Sequence, residues 1–103
     1  MQVLDDDATE FGELKPWQFS GSIYATVAPS HRATKAAGEW QTMYIRAQGS
    51  KVSVCINGQG IIDADLKDHL DKLPDHPGLA RTSGYIGLQN HGSRLDYRNL
   101  WIR

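Results

Sequence analysis

Apolar and polar residues alternate with a period of two through much of the stretch from Trp40 to Ile62. That period marks half-buried β-strands rather than helices. Between Trp40 and Ala47, Gln41, Met43 and Ile45 fall on one side, against Trp40, Thr42, Tyr44 and Arg46 on the other. Between Lys51 and Ile56, Val52, Val54 and Ile56 oppose Lys51, Ser53 and Cys55. Gln48-Gly49-Ser50 reads as the turn between these two strands. Asn57-Gly58 is the strongest hairpin signal in the chain, because both residues tolerate the positive φ of a type I′ turn. A regular ladder across that turn pairs Val54 with Ile61 and Ser53 with Ile62.

Outside this core the pattern predicts further short strands at Met1–Leu4 and Ser22–Val27, and two more within Ser83–Arg103. Pro16, Gly21, Pro29 and Gly38 punctuate residues 8–39, a long connection of the kind that is often functional. Residues 64–82 read as a polar loop with one helical turn at Asp65–Leu70, closed by Pro74, Pro77 and Gly78. Five or six short strands with turns between them predict an all-β chain, an antiparallel β-sandwich.

The length of 103 residues limits the chain to a single domain over 1–103. A net charge of −1 leaves no basic footprint for nucleic acid or an anionic membrane. With 40% hydrophobic and 22% charged residues the composition is that of a globular protein, not a disordered one. The single cysteine, Cys55, excludes an internal disulfide and reads as a sheet or core residue. No apolar run approaches the roughly 20 residues that span a membrane. The acidic opening Met1–Asp7 is not a signal peptide.

Candidate chemistry concentrates near the C-terminus. In Gly84-Tyr-Ile-Gly-Leu-Gln-Asn-His-Gly92, alternation puts Tyr85, Gly87, Gln89 and His91 on one face and Ile86 and Leu88 on the other. An acid/base group thus shares a face with an amide. The competing reading of His91 is a surface histidine in a turn capped by Gly92, and of Gln89 an exposed strand residue. Tyr24, Trp40 and Tyr44 could stack on a pyranose ring, since each joins an apolar body to a polar tip; the competing reading is that Trp40 and Tyr44 simply cover a sheet. Trp17, in a Pro-containing loop, reads as a lid or an anchor, and Trp101 as structural. Asp5 could bind a hydroxyl or order a turn beside Asp6 and Asp7. This acidic run offers oxygens to a hard cation but lacks the glycine and distal glutamate of an EF-hand. His69 and His76, with Asp65, Asp68, Asp71 and Asp75, lack zinc-site spacing and read as a solvated loop. No cofactor is expected.

Gly38-Glu-Trp-Gln-Thr42, Val54-Cys-Ile-Asn-Gly58, Gly84–Gly92 and Tyr97-Arg-Asn-Leu-Trp-Ile102 occur in the order and spacing of the 3-keto-disaccharide hydrolase family. Gln2-Val-Leu-Asp5 and Gly21-Ser-Ile-Tyr24…Ala28-Pro29 also resemble that family. The resemblance spans essentially the whole chain and corresponds to the C-terminal half of the family domain. It implies a concanavalin-like jelly roll, truncated here, and a periplasmic or secreted location. It also implies a carbohydrate substrate, a sugar oxidised at C3 whose acidified C2 proton a base removes before the C1 substituent leaves. Such a route needs one base and oxyanion donors, not the paired carboxylates of ordinary glycosidases. Under it His91 is the base, histidine being the side chain best suited to take a proton at neutral pH. Gln89 and Gln2 line the same concave face, and Asn90 stands where the family usually has aspartate. Two rival readings are a lectin-like carbohydrate-binding module and a self-associating fragment. An apolar sheet face with open edges favours a homo-oligomer.

Overall fold

In the computed structural model, which describes residues 1–103 with the side chain of Phe11 excepted, Asn57 and Gly58 take φ values of 50° and 79°. They close the expected two-residue turn. Three strands, β1 (Met43–Gln48), β2 (Lys51–Ile56) and β3 (Gln59–Asp65), form one antiparallel sheet in the order β1-β2-β3. Gln48 pairs with Lys51 across Gly49 and Ser50. The fold class is all-β and antiparallel.

The register beyond the hairpin differs from a regular ladder. Ile56 pairs with Gln59 and Cys55 with Gly60, but Val54 then pairs with Ile62 and Ser53 with Asp63. Ile61 is the extra residue of a bulge. A bulge lets two consecutive side chains escape strict alternation, and Ile61 and Ile62 are both buried. Val54, Ile56 and Ala33 complete the buried cluster, with Ile23, Val27, Val52 and Ala64 packed against it.

Residues 20–34 lie over this face as irregular chain rather than as a second sheet. The expected strand Ser22–Val27 is instead a tight reversal with a single bridge, Ile23 to Val27. The Ile23 carbonyl accepts from both Thr26 (2.8 Å) and Val27 (2.9 Å), so the chain turns back instead of extending. Ala25 sits at φ 56°, a left-handed conformation that costs a non-glycine residue on the order of 1–3 kcal/mol. Met1–Leu4 is extended, and its neighbour is residues 20–22 rather than a sheet strand. Gln2 donates to Ser22 (3.0 Å), Gly21 donates to Gln2 (2.9 Å), and the Ser20 hydroxyl both donates to the Leu4 carbonyl (2.6 Å) and accepts its amide (2.9 Å).

Asp6 is the polar knot of this layer. Its side chain is only 2% exposed. It accepts from the Ser20 amide (2.7 Å) and the Thr34 hydroxyl (3.2 Å), and lies 3.8 Å from the Arg32 guanidinium. Asp6→Ala would leave two donors without their charged acceptor and is expected to lower stability by about 2 kcal/mol, measured by urea unfolding. Arg32 keeps its 2.6 Å pair with Asp7 in that variant. Asn57 performs the same role at the other end. It pairs with Thr42 through both its amide (2.9 Å) and its Oδ1 (3.0 Å), while its Nδ2 reaches the Ala33 carbonyl (2.9 Å).

The 64–82 region contains the expected helical turn, a 3-10 helix at Leu66–Lys72, and a second at Pro77–Ala80. Asp65 caps the first by accepting from the Lys67 amide (3.0 Å). Hydrogen bonding from the Ser50 side chain, then from that amide, lowers the Asp65 carboxyl below its ordinary value. A depressed carboxyl stabilises the fold above its unfolded value, and the contribution is lost as pH falls through the folded one.

The C-terminal expectations are corrected as well. The C-terminal strands are absent among the described residues: 83–103 is irregular, with positive φ at Gly92 and Asn99, and its backbone joins no ladder. Ile86 and Leu88, expected to face inward, are 79% and 56% exposed, and Trp101, expected to be structural, is 89% exposed. A strand persists only against a partner strand, and here the alternation exists without one. The sheet's edge is also uncovered. Met43 and Ile45 share the core face with Ile56 and Val54 by register, yet every residue of β1 is exposed.

Candidate functional site

The candidate base lies in a bend. Asn90 Oδ1 accepts from the Gly92 amide (2.9 Å), with Gly92 at φ 92°, and His91 sits exposed between them. Arg94 grips Asp96 just downstream, with Nη2 at 2.9 Å from Oδ2, and that hydrogen bond raises the Arg94 guanidinium further above its ordinary value. Both partners are solvent-exposed, so the pair contributes little to stability. Gln89 is exposed as well, whereas Gln2 is half-buried and held by its backbone bonds to Gly21 and Ser22. Among the described residues no hydrogen bond joins His91 to Gln89 or Gln2.

The aromatic candidates are on the surface. Tyr24 and Trp40 are each about half exposed and Tyr44 more so. Tyr44 pairs with Cys55 on the sheet face opposite the core. The Arg98 guanidinium lies 3.9 Å from the Trp40 ring centroid, a cation–π contact that links the C-terminal segment to the residues before β1. Asp5 orders a turn: its Oδ1 accepts from the Asp7 amide (3.1 Å). All three carboxylates of Asp5-Asp6-Asp7 therefore already have protein partners.

A cleft of about 310 Å³ lies elsewhere, lined by Trp17, Ala25, Lys72, Asp75 and His76. Sequence reasoning placed Trp17 in a lid or anchor and His76 and Asp75 in a solvated loop, and it had no reason to join them. The signal was the conformation of Ala25, which composition does not carry. A second, smaller depression of about 130 Å³ lies on the open sheet face between Arg46, Gln48, Lys51, Ser53 and Asp63. Neither cleft is lined by His91, Gln89 or Gln2.

These features define an all-β antiparallel domain whose surface exposes polar, charged and aromatic side chains together. The chain belongs to the 3-keto-alpha-glucoside-1,2-lyase-like domain family, whose sequence model matches residues 1–103. A crystal structure of a provisionally named glycosyl hydrolase from Parabacteroides distasonis is similar at 28% identity and TM-score 0.60, over 64% of this chain. The matched region is 34% of the length of that protein. No curated protein matches the chain. Among the described residues no helix is long and apolar enough to cross a membrane.

Proposed function

We propose that the chain belongs to the machinery that cleaves 3-keto-glycosides, with His91 as the base that takes the C2 proton. The family match over residues 1–103 carries this reading, and the glycosyl hydrolase likeness supports it. The C3 ketone accepts the electron pair released at C2, giving an enediolate. Collapse of that enediolate breaks the C1–O bond and forms the C1–C2 double bond. The aglycone leaves as an alcohol, taking up one proton, and water can then add across the new double bond. Gln89 and Gln2 supply amide donors for the enediolate oxygen, and Asn90 and Asp5 contact hydroxyls. Tyr24, Trp40 and Tyr44 offer ring faces to the sugar. The family match supports a periplasmic or secreted location.

A non-catalytic carbohydrate-binding module is the second reading. It is favoured by the exposed bend around His91 and by the Asn90 side chain being occupied with Gly92. Self-association belongs with either reading. Met43 and Ile45 on the open edge, with Ile86, Leu88, Trp101 and Ile102, form apolar surface of the kind a second copy covers. Incubating the chain with a 3-keto-glucoside bearing a chromogenic aglycone separates the readings. Aglycone release above buffer is the expected result. Sugar binding without release would favour the module, and sedimentation of the same sample at micromolar concentration tests the homo-oligomer.

A further inference from the structure

The Trp17 cleft joins three separate pieces of chain: the 3-10 turn Pro16–Gln18, the reversal at Tyr24–Thr26, and the loop that follows Leu66–Lys72. We propose that it is a binding subsite for an uncharged pyranose ring, distinct from the His91 region. The proposal rests on the carbohydrate reading above but uses none of its residues from the C-terminal segment.

The volume, about 310 Å³, accommodates one ring rather than a chain of sugars, in a shallow depression open to solvent rather than an enclosed site. Its chemistry is mixed in the way a polyhydroxylated ring requires. Trp17 supplies an apolar indole with an N–H at its edge. Asp75 supplies a carboxylate that accepts from hydroxyls, Lys72 an ammonium that donates, and His76 an imidazole that can do either. Within the lining Asp75 and Lys72 carry opposite charges, and the Lys15 ammonium stands outside it beside Trp17.

The walls are held in place before any ligand arrives. Lys72 Nζ donates to the Ala25 carbonyl at 3.3 Å, which ties the loop wall to the reversal wall across 47 positions of sequence. Ala25 itself is at φ 56°, fixed from both sides by the Ile23–Val27 bridge. Left-handed non-glycine backbone persists only where its surroundings impose it, and it concentrates at ligand-contacting sites. The third wall is also fixed. The Lys15 amide donates to Gln18 Oε1 at 2.8 Å, and the Lys15 ammonium sits 5.4 Å from the Trp17 ring centroid. Pre-set walls reduce the ordering that binding would otherwise demand.

The test is a titration of the ¹⁵N-labelled 103-residue chain with methyl α-D-glucopyranoside, which carries no ketone and cannot be turned over by the proposed route. Saturable shifts are expected at the Trp17 indole N–H and at the amides of Ala25, Lys72 and His76. Trp17→Ala and Asp75→Asn should each weaken binding by about tenfold or more, with melting temperature recorded alongside. Trp17→Phe, which keeps a ring, should recover part of the affinity if the first variant is poorly folded. Shifts confined to Trp40, Tyr44 and Gln89–His91, or no saturable shift at all, would overturn the subsite while leaving 3-keto-glycoside cleavage to its own release assay. Binding in the cleft without aglycone release would leave the subsite standing and remove the catalytic reading.

Discussion

Gly21→Ala is expected to destabilise the fold by about 3 kcal/mol, more than any other glycine-to-alanine change in the chain. Two separate costs combine there. Gly21 is at φ 86°, where a Cβ crowds the backbone and an L-residue loses roughly 1–2 kcal/mol. A methyl built there would also collide with the Cδ1 of Ile61 and lie 2.8 Å from the Cδ1 of Ile56. Both isoleucines are 2% exposed, and β-branching leaves their χ1 little freedom. Overpacking of a filled core typically costs about 1–3 kcal/mol. The reduced entropy of the unfolded alanine chain offsets only about 0.4–1 kcal/mol of this total. Two controls separate the contributions. Gly38→Ala has a comparable φ of 89° but open space around it, so its loss isolates the backbone cost. Ile61→Val deletes the methyl that the new Cβ would strike, so the double variant should lose less than the sum of the singles. Thermal unfolding resolves the effect, since about 1 kcal/mol moves the midpoint of a domain this size by roughly 4–8 °C. Additive losses in the double variant would show that Gly21 is needed for its conformation alone.

The same contact explains how the fold is assembled. Gly21 lets the covering chain descend onto Ile56 and Ile61, and its amide then reaches the Gln2 carbonyl at 2.9 Å. The N-terminal segment is therefore docked through a glycine that sequence reading recognised only as punctuation. Ser22, next to it, is fully buried, and its Oγ has no partner among the described residues.

The sequence discloses local chemistry better than it discloses partnership. Asn57-Gly58 and the alternation in β2 were readable because positive φ and period-two burial are properties of a few adjacent residues. The bulge at Ile61 was not, because it answers to two neighbouring isoleucines that both gain by burial, and the ladder yields to them. Ser22–Val27 carries β-branched residues and looked like a strand, but Ala25 takes a left-handed conformation and Ile23 accepts two amides. At the C-terminus alternation was present and misleading, since Ile86 and Leu88 meet no sheet on which to lie. Of the candidate site, the Asn90–Gly92 bend was readable, because Gly92 takes the positive φ a turn needs. The Trp17 cleft was not, because its residues are distant along the chain and meet only through the Lys72–Ala25 contact.

His91→Ala is expected to reduce aglycone release from a 3-keto-glucoside by about 10²–10⁴-fold with little change in stability. The two readouts separate because His91 is exposed and, among the described residues, its ring makes no hydrogen bond, so truncation removes no packing and orphans no buried group. The bend that presents it is fixed by Asn90 and Gly92, and both remain in the variant. Any loss of rate therefore reports on chemistry at the imidazole. Added imidazole should restore part of the rate by supplying the missing base. Deuterium at the substrate's C2 should slow the parent reaction, because the bond to that hydrogen breaks as the enediolate forms. A variant that releases aglycone at the parent rate, or a parent reaction indifferent to C2 deuteration, would take His91 out of the mechanism. Either outcome would leave the family assignment intact, since that rests on residues 1–103 together and not on one ring.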